Sequence, residues 1–324
     1  MLASRKWLGS GATFGLLVLV NCSATPASTT FETGGSGGEA SGGGNTGNTT
    51  GQGGNGGMGG GFIPPTGSGG GGPTDGCSDA AKLVYVLSDA NDLYSFDPPS
   101  KKFTLIGQLG CNTNMNPNSM AIDRNATAWV NYFRDGFNPK GVIYKVSTKD
   151  ASCEGTPAVN LPLAWRQLGM GFSVNAAGTT DETLYVNGTS GTGLGQITAT
   201  NTLMPIADFS PSTFQGETAE LTGTGDGRLY GYFQTAPVYV AQIDKATGAV
   251  TNEKVITGLD TPSAWAFSFW GGSFYLYASS SGSNSTVTKY DPATGAIDNN
   301  YVSDTGMRIV GAGVSTCAPL EPPK

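Results

Sequence analysis

Histidine is absent from the 324 residues, and only 13% of them are charged. The missing imidazole removes the usual general base near neutral pH, every Ser-His-Asp or Cys-His arrangement and the commonest transition-metal ligand. The net charge is −7 and there is no long basic run, so we do not expect a nucleic-acid partner. The sequence contains no Asp-x-Asp-x-Asp run, which is the pattern that would predict a calcium site. Neither a metal nor a cofactor is therefore expected.

Residues 1–21 have the organisation of a bacterial export signal. Arg5 and Lys6 form a positive start, and Phe14–Val20 form a short apolar core. This core is too short to cross a bilayer as a permanent helix. The sequence therefore predicts export.

The apolar core runs into Leu19-Val20-Asn21-Cys22, which resembles the lipobox of bacterial lipoproteins, where the Cys becomes the lipidated mature N-terminus. Asn21 departs from the Gly, Ala or Ser usual at that position. We expect a lipid on Cys22 that anchors the protein at the outer membrane or cell surface. The alternative is cleavage nearby, for instance after Ala24, and release as a secreted protein.

Residues 22–76 are predicted to be a tether. From Gly34 to Gly76 the chain is mostly Gly with Ser, Thr and Asn, and it has too few apolar side chains to offset the entropy lost on ordering. A disordered tether behind a lipid-bearing Cys would lift a folded domain off the membrane. The folded domain is assigned to residues 77–324.

A recurring strand in the folded segment predicts its architecture. The residue at the same place in each recurrence is apolar or aromatic, and successive recurrences are separated by 50, 51, 46 and 47 positions: Phe96, Val146, Ile197, Ile243 and Tyr290. One four-stranded propeller blade with its turns needs about 40 to 50 residues. The sequence therefore predicts an all-β fold, a five-bladed β-propeller, in which this strand is the third of each blade, strand c.

The first and last strands of the segment predict how the ring closes. The first unit has no candidate for an innermost strand, whereas residues 309–314 at the C-terminus form a spare one. We expect the C-terminal strand to complete the first blade and to remove an unpaired edge.

Cysteine parity supports this arrangement. Of the five cysteines, Cys22 is assigned to the lipid, which leaves the even set Cys77, Cys111, Cys153 and Cys317. An exported protein favours disulfides, and a Cys77–Cys317 bond would lock the closure. By elimination Cys111 pairs with Cys153, although the predicted strands could place these two residues at opposite faces.

Four segments carry a further resemblance: residues 119–124, 220–231, 264–272 and 309–317. With these strings the chain resembles a group of uncharacterised myxobacterial surface lipoproteins. The resemblance covers residues 77–320 together with the signal and the Gly-rich segment. It implies a lipid-anchored, propeller-like domain and adds no catalytic residue.

Ligand-binding candidates lie where inner strands open the axial mouth of a propeller. Trp can stack on a sugar ring or an apolar side chain, and Arg can hold a carboxylate through two hydrogen bonds. The alternative role is a core residue for Trp265, a surface ion pair for the two Arg residues and a solvated loop acid for the two Glu residues. The candidates are Trp165, Arg166, Glu217, Glu220, Trp265 and Arg308.

The sequence favours a binding or scaffolding protein that presents a propeller face to a glycan, a peptide or a surface protein. The alternative function is that of a carboxylate-dependent glycan hydrolase or lyase, since glycosidases need only two acidic groups at a suitable separation. In that case Glu217 or Glu220 would take part. The favoured function assigns no catalytic residue.

Overall fold

The computed structural model describes residues 76–323. The predicted signal segment, Cys22 and nearly all of the predicted tether lie outside the described residues. Within 76–323 no helix is long and apolar enough to cross a bilayer. The two helical turns described there are short 3₁₀ segments, Ala80–Lys82 and Leu163–Trp165.

Twenty strands form five antiparallel sheets of four strands each, arranged as the blades of a five-bladed propeller. Blade 1 contains β20 (Ile309–Val314), β1 (Val84–Ser88), β2 (Asp92–Asp97) and β3 (Lys102–Gln108). Blade 2 contains β4 (Asn116–Ile122), β5 (Thr127–Arg134), β6 (Lys140–Ser147) and β7 (Val159–Leu161). Blade 3 contains β8 (Leu168–Val174), β9 (Glu182–Gly188), β10 (Leu194–Ile197) and β11 (Leu203–Ala207).

Blade 4 contains β12 (Ala219–Gly223), β13 (Leu229–Phe233), β14 (Tyr239–Ile243) and β15 (Val250–Val255). Blade 5 contains β16 (Ala264–Trp270), β17 (Ser273–Ser279), β18 (Thr286–Tyr290) and β19 (Ile297–Val302). The predicted fold class is confirmed. The five recurring strands are β2, β6, β10, β14 and β18, each the third strand of its blade.

Five inner strands pack around the axis, and small residues permit their close approach. A Cβ on Gly169 of β8 would lie 2.0 Å from the Ala219 carbonyl oxygen of β12, and a Cβ on Gly223 would lie 2.1 Å from the Phe172 carbonyl oxygen. Only glycine fits where two backbones come this close. The glycines therefore set how tightly blades 3 and 4 meet.

The C-terminal strand β20 pairs antiparallel with β1, with Val84 opposite Val314 and Val86 opposite Ala312. It supplies the innermost strand of blade 1. The Cys77–Cys317 disulfide joins the segments that flank this pair and has a sequence separation of 240 residues. It ties the two ends of the described chain together.

Five hydrophobic clusters fill the junctions between adjacent blades, and a sixth, smaller cluster contains Ala81, Ala126 and Cys317. Alternate side chains of every strand point to opposite faces of a sheet, so each blade supplies one face to each neighbour. The cluster between blades 5 and 1, for example, contains Val84, Phe96, Tyr277 and Val314. Both faces of each blade are therefore covered by neighbouring blades, which explains why most strand residues are buried.

Cys111 and Cys153 form the second disulfide, with 4.9 Å between their Cα atoms. Cys153 does not begin the outer strand of blade 2: it makes an isolated bridge with Val146, and β7 starts later. The Gly110 N–H donates to the Ala151 carbonyl oxygen at 3.3 Å, which holds the chain after β3 against the turn that contains Cys153. The concern that these cysteines lie at opposite faces was therefore wrong.

Candidate functional site

The starts of the inner strands surround a pocket of about 290 Å³ at one end of the ring, called here the mouth pocket. Its polar lining includes Arg308, Asp89, Asn116, Asn118 and Gln167. Its apolar lining consists of Trp265, Phe133, Pro117, Val310 and Ala264. Two predicted residues, Trp265 and Arg308, thus share one cavity. The pocket combines an apolar wall with convergent hydrogen-bonding groups, which is typical of small-ligand sites.

Arg308 lies between blades 1 and 5, immediately before β20. Its Nη2 donates to the Ser263 carbonyl oxygen at 3.0 Å, and its Nε lies 3.9 Å from Asp89 Oδ2. The long distance and the 53% exposure of the Asp89 side chain make this ion pair weak. A guanidinium has five N–H donors, so the described contacts leave donors for an acceptor in the pocket.

Trp265 is the second residue of β16; it is half-buried and packs against the hydrophobic cluster between blades 4 and 5. Its indole Nε1 is buried and has no hydrogen-bond partner among the described residues. A buried donor without a partner costs about 1–3 kcal/mol, and such groups are infrequent in folded proteins. The exposed part of the ring lines the pocket.

An amide network holds the blade 2 and blade 3 side of the mouth pocket. Gln167 Nε2 donates to Asn118 Oδ1 at 2.9 Å, and Asn118 Nδ2 donates to the Leu168 carbonyl oxygen at 2.6 Å. Behind them the buried Asn131 accepts from the Leu168 N–H at 3.0 Å and donates to the Arg166 carbonyl oxygen at 3.2 Å. These bonds fix the amides of the lining before any ligand arrives.

Trp165 and Arg166 do not line the mouth pocket. Trp165 is 6% exposed and packs in the cluster between blades 2 and 3. Arg166 Nε lies 2.6 Å from Asp135 Oδ1, on the outer side of that blade junction. Arg166 thus has the ion-pair role that the sequence left as its alternative, whereas the core position of Trp165 was not foreseen.

Glu217 and Glu220 also lie outside the mouth pocket. β12 begins at Ala219, so Glu220 lies inside this inner strand and its side chain is buried between blades. Ser119 Oγ donates to Glu220 Oε2 at 2.7 Å across the axis. Burial raises the pKa of Glu220 well above its usual range, although this bond and one from the Met170 backbone oppose the shift. Glu220 therefore ties three blades together and does not face an open cavity.

A larger concavity lies at the opposite end of the ring, between blades 2 and 3, and was not predicted from the sequence. This crevice has a volume of about 530 Å³ and begins where β4 and β8 end. Its lining from blade 2 includes Asp123, Trp129 and Lys145. Its lining from blade 3 includes Asn175, Glu182, Thr183, Phe172, Leu184, Ile197, Thr198 and Ala199.

Within residues 76–323 no group of three or more acidic or Cys side chains is placed to hold a metal ion. The four cysteines of this segment are bonded in pairs. Thiolate chemistry is therefore unavailable to this part of the oxidised protein.

No family model matches the chain. No curated protein matches it either. Solved structures similar to it include a protein of unknown function from Bacteroides caccae, at 12% identity and a TM-score of 0.39, covering 72% of this chain and 98% of that one. An auxiliary nutrient binding protein from Bacteroides ovatus matches at 12% identity and a TM-score of 0.41, covering 73% of this chain and 60% of that one. A streptogramin B lyase matches at 17% identity and a TM-score of 0.37, covering 68% of this chain and 65% of that one. These low scores say nothing about a ligand of the present chain.

Proposed function

We propose that this chain is an exported, lipid-anchored binding protein whose mouth pocket holds a short peptide segment with a carboxylate. The observation that carries the proposal is the shared cavity of Arg308 and Trp265. A carboxylate would pair with the guanidinium, and an adjacent apolar side chain would pack on the indole. The neighbouring amides of Asn116 and Gln167 would bond to the peptide backbone.

Export and anchoring rest on separate arguments. Both disulfides join residues of the propeller, and disulfides persist mainly in oxidising compartments outside the cytosol. The signal-like segment and Cys22 supply the expected route and anchor. Mass spectrometry of the mature N-terminus tests the anchor: a diacylglycerol-modified Cys22 is expected, and an unmodified N-terminus beyond that residue would contradict it.

A peptide library tests the ligand class. Peptides of eight residues with free C-termini, acidic side chains or amidated ends are titrated into the purified protein, and fluorescence anisotropy reports binding. We expect binding that needs a carboxylate, and an Arg308→Gln variant that binds about 10- to 100-fold more weakly, because a hydrogen bond to a charged group contributes about 1.5–3 kcal/mol.

Arg166→Gln is the matched control, because Arg166 lies outside the mouth pocket and pairs with Asp135. It removes the same charge from the same end of the ring. Equal affinities of the Arg308→Gln and Arg166→Gln variants would refute the assignment of the mouth pocket.

The hydrolase alternative receives no support from the geometry. Glu220 is 3% exposed and bonded to Ser119, and neither Glu217 nor Glu220 lines the mouth pocket or the crevice. A glycosidase needs two carboxyl groups that flank a substrate bond. The positions of Glu217 and Glu220 do not support a catalytic role for either residue.

A further inference from the structure

The turn between the third and fourth strands of a blade can bring one residue back against the preceding blade, as Lys245 of blade 4 shows. This residue lies two positions after the recurring strand residue, so the five blades have equivalent positions. In order from blade 1 to blade 5 they are Pro98, Thr148, Ala199, Lys245 and Pro292. Their side chains differ, and the space beside Ala199 differs from the space beside Lys245.

Lys245 occupies the crevice between blades 3 and 4. Its Nζ donates to the Val174 carbonyl oxygen at 2.6 Å, to the Asn175 carbonyl oxygen at 3.3 Å and to Ser173 Oγ at 3.4 Å. The same ammonium lies 5.9 Å from the centroid of the Tyr185 ring. The crevice between blades 3 and 4 is thus filled by a side chain of the protein itself.

Ala199 takes the position of Lys245 at the junction of blades 2 and 3. The strand registers make Trp129 the equivalent of Tyr185, since Trp129 lies opposite Lys145 and Tyr185 lies opposite Gln196. Because a methyl group replaces the long lysine side chain, the crevice of about 530 Å³ stays open beside Trp129. This volume falls in the range of about 300–1,000 Å³ that small-ligand pockets occupy.

The open crevice presents a hydrogen-bond donor that no residue between 76 and 323 uses. Lys145 Nζ lies 4.4 Å from the centroid of the Trp129 ring. Among the described residues Lys145 pairs with no carboxylate within the ion-pair distance. The cation is therefore held by the indole, with its N–H groups available to an acceptor in the crevice.

Two carboxyl groups supply acceptors beside that donor. Asp123 Oδ2 accepts from Trp129 Nε1 at 3.1 Å, and Glu182 accepts from the Arg124 N–H and the Thr316 hydroxyl, both at 2.7 Å. Each carboxylate oxygen has two lone pairs, so these bonds leave acceptor capacity. Burial raises the pKa of Glu182.

The opposite wall is apolar and comes from Phe172, Leu184 and Ile197 of blade 3. A ligand in this crevice therefore needs hydroxyl groups that both donate and accept, together with a C–H face that packs on apolar side chains. An anion would face two carboxyl groups, and a cation would face Lys145. A neutral sugar meets all of these requirements.

We propose that the crevice between blades 2 and 3 is a saccharide site that takes a neutral disaccharide segment, separate from the peptide site in the mouth pocket. Lys145 and Asp123 hold ring hydroxyls, and Phe172 and Ile197 pack against a pyranose face. The site exists because blade 3 lacks the lysine with which blade 4 fills the equivalent space.

Saturation-transfer NMR on the full chain tests the site with cellobiose, maltose, lactose and N,N′-diacetylchitobiose. We expect transfer to at least one of them. Ala199→Lys should reduce the affinity of the protein for that sugar by more than 10-fold, because the new lysine side chain can fill the crevice between blades 2 and 3 as Lys245 fills the one between blades 3 and 4. Lys145→Met should weaken binding as well, without adding a group to the crevice.

Thr200→Lys is the matched control, since Thr200 is exposed in the same turn and does not line the crevice. It should bind sugar as the unaltered protein does, and so should Arg308→Gln at the mouth pocket. Thermal unfolding at an unchanged midpoint verifies that each variant folds. Absence of transfer from all four sugars, equal loss in Ala199→Lys and Thr200→Lys, or loss only in Arg308→Gln would overturn the proposal. The proposal of peptide binding at the mouth pocket does not depend on any of these outcomes.

Discussion

Replacement of Glu220 by Gln should remove a pH dependence from the stability of the ring. Glu220 is buried at the axis, and burial raises the pKa of its carboxyl group well above the ordinary value of 4.5. The folded protein therefore binds a proton more tightly than the unfolded chain does. Between the unfolded pKa and the folded pKa the native state holds more protons, so the free energy of unfolding falls as the pH rises.

The size of the effect follows from the same linkage. Each pH unit inside this window lowers the free energy of unfolding by about 1.4 kcal/mol, and the decline ends at the folded pKa. Gln keeps the shape of the acid and an oxygen that can accept from Ser119 Oγ, now 2.7 Å from Glu220 Oε2. We therefore expect Glu220→Gln to match the unaltered protein near pH 4 and to exceed it in stability at neutral pH.

Urea titrations at half-unit steps from pH 4 to pH 8 measure the difference between the two proteins. Ser119→Ala provides a second comparison: its hydroxyl opposes the upward shift, so its removal should extend the decline to higher pH. A stability difference between Glu220→Gln and the unaltered protein that stays constant over this range would refute the argument. So would a variant that is less stable at every pH.

Four further variants test the packing of the ring by chemical denaturation. Replacing Cys111 and Cys153 together by Ala should lower the free energy of unfolding by about 4 kcal/mol, since their bond has a sequence separation of 42 residues; a loss under about 1 kcal/mol would contradict the loop-entropy estimate. Tyr232→Phe should raise stability by up to about 1 kcal/mol, because its buried hydroxyl has no partner within the described part of the chain. Tyr132→Phe should instead lower the free energy of unfolding by about 1 kcal/mol, because the Tyr132 hydroxyl donates a 2.6 Å hydrogen bond to Asn91 Oδ1. Equal effects of the two Tyr→Phe changes would contradict this reasoning. Asn131→Leu should lower stability by about 3 kcal/mol or more, because its amide bonds three buried backbone groups, and an unchanged midpoint would contradict this.

The fold was predictable because a propeller repeats one pattern of strand and turn. Phe96, Val146, Ile197, Ile243 and Tyr290 occupy the same place in five blades, and each is buried against a neighbouring blade. Hydrophobic spacing alone therefore gave the blade number. The first residues of the inner strands were harder to predict from the sequence. Glu220 and Trp265 are the second residues of β12 and β16, and the sequence at the start of these strands does not show a clear strand pattern.

The mouth pocket was predictable only in part. Trp265 and Arg308 do open on it, since their places just inside β16 and just before β20 follow from the period. Arg166 has a similar place before β8, yet it turns outward to Asp135. A sequence gives the position of a side chain along a strand, but the partner that selects its rotamer comes from another blade. The outward turn of Arg166 was therefore not available from the pattern.

The crevice is a different case, because the signal for it was a departure from the repeat. Ala199 and Lys245 are both unremarkable turn residues when each is taken alone. Alignment of the blades shows the difference between them. Lys245 fills the space between blades 3 and 4, whereas Ala199 leaves the equivalent space between blades 2 and 3 open beside Trp129. The repeated strands give every blade the same kind of core, and this core stabilises the ring. A binding site can therefore form where a small residue replaces a large one in a turn outside the core, because this exchange opens a space at little cost in stability. Positions that break the period are consequently the ones to compare first when a function is sought in a propeller of this kind.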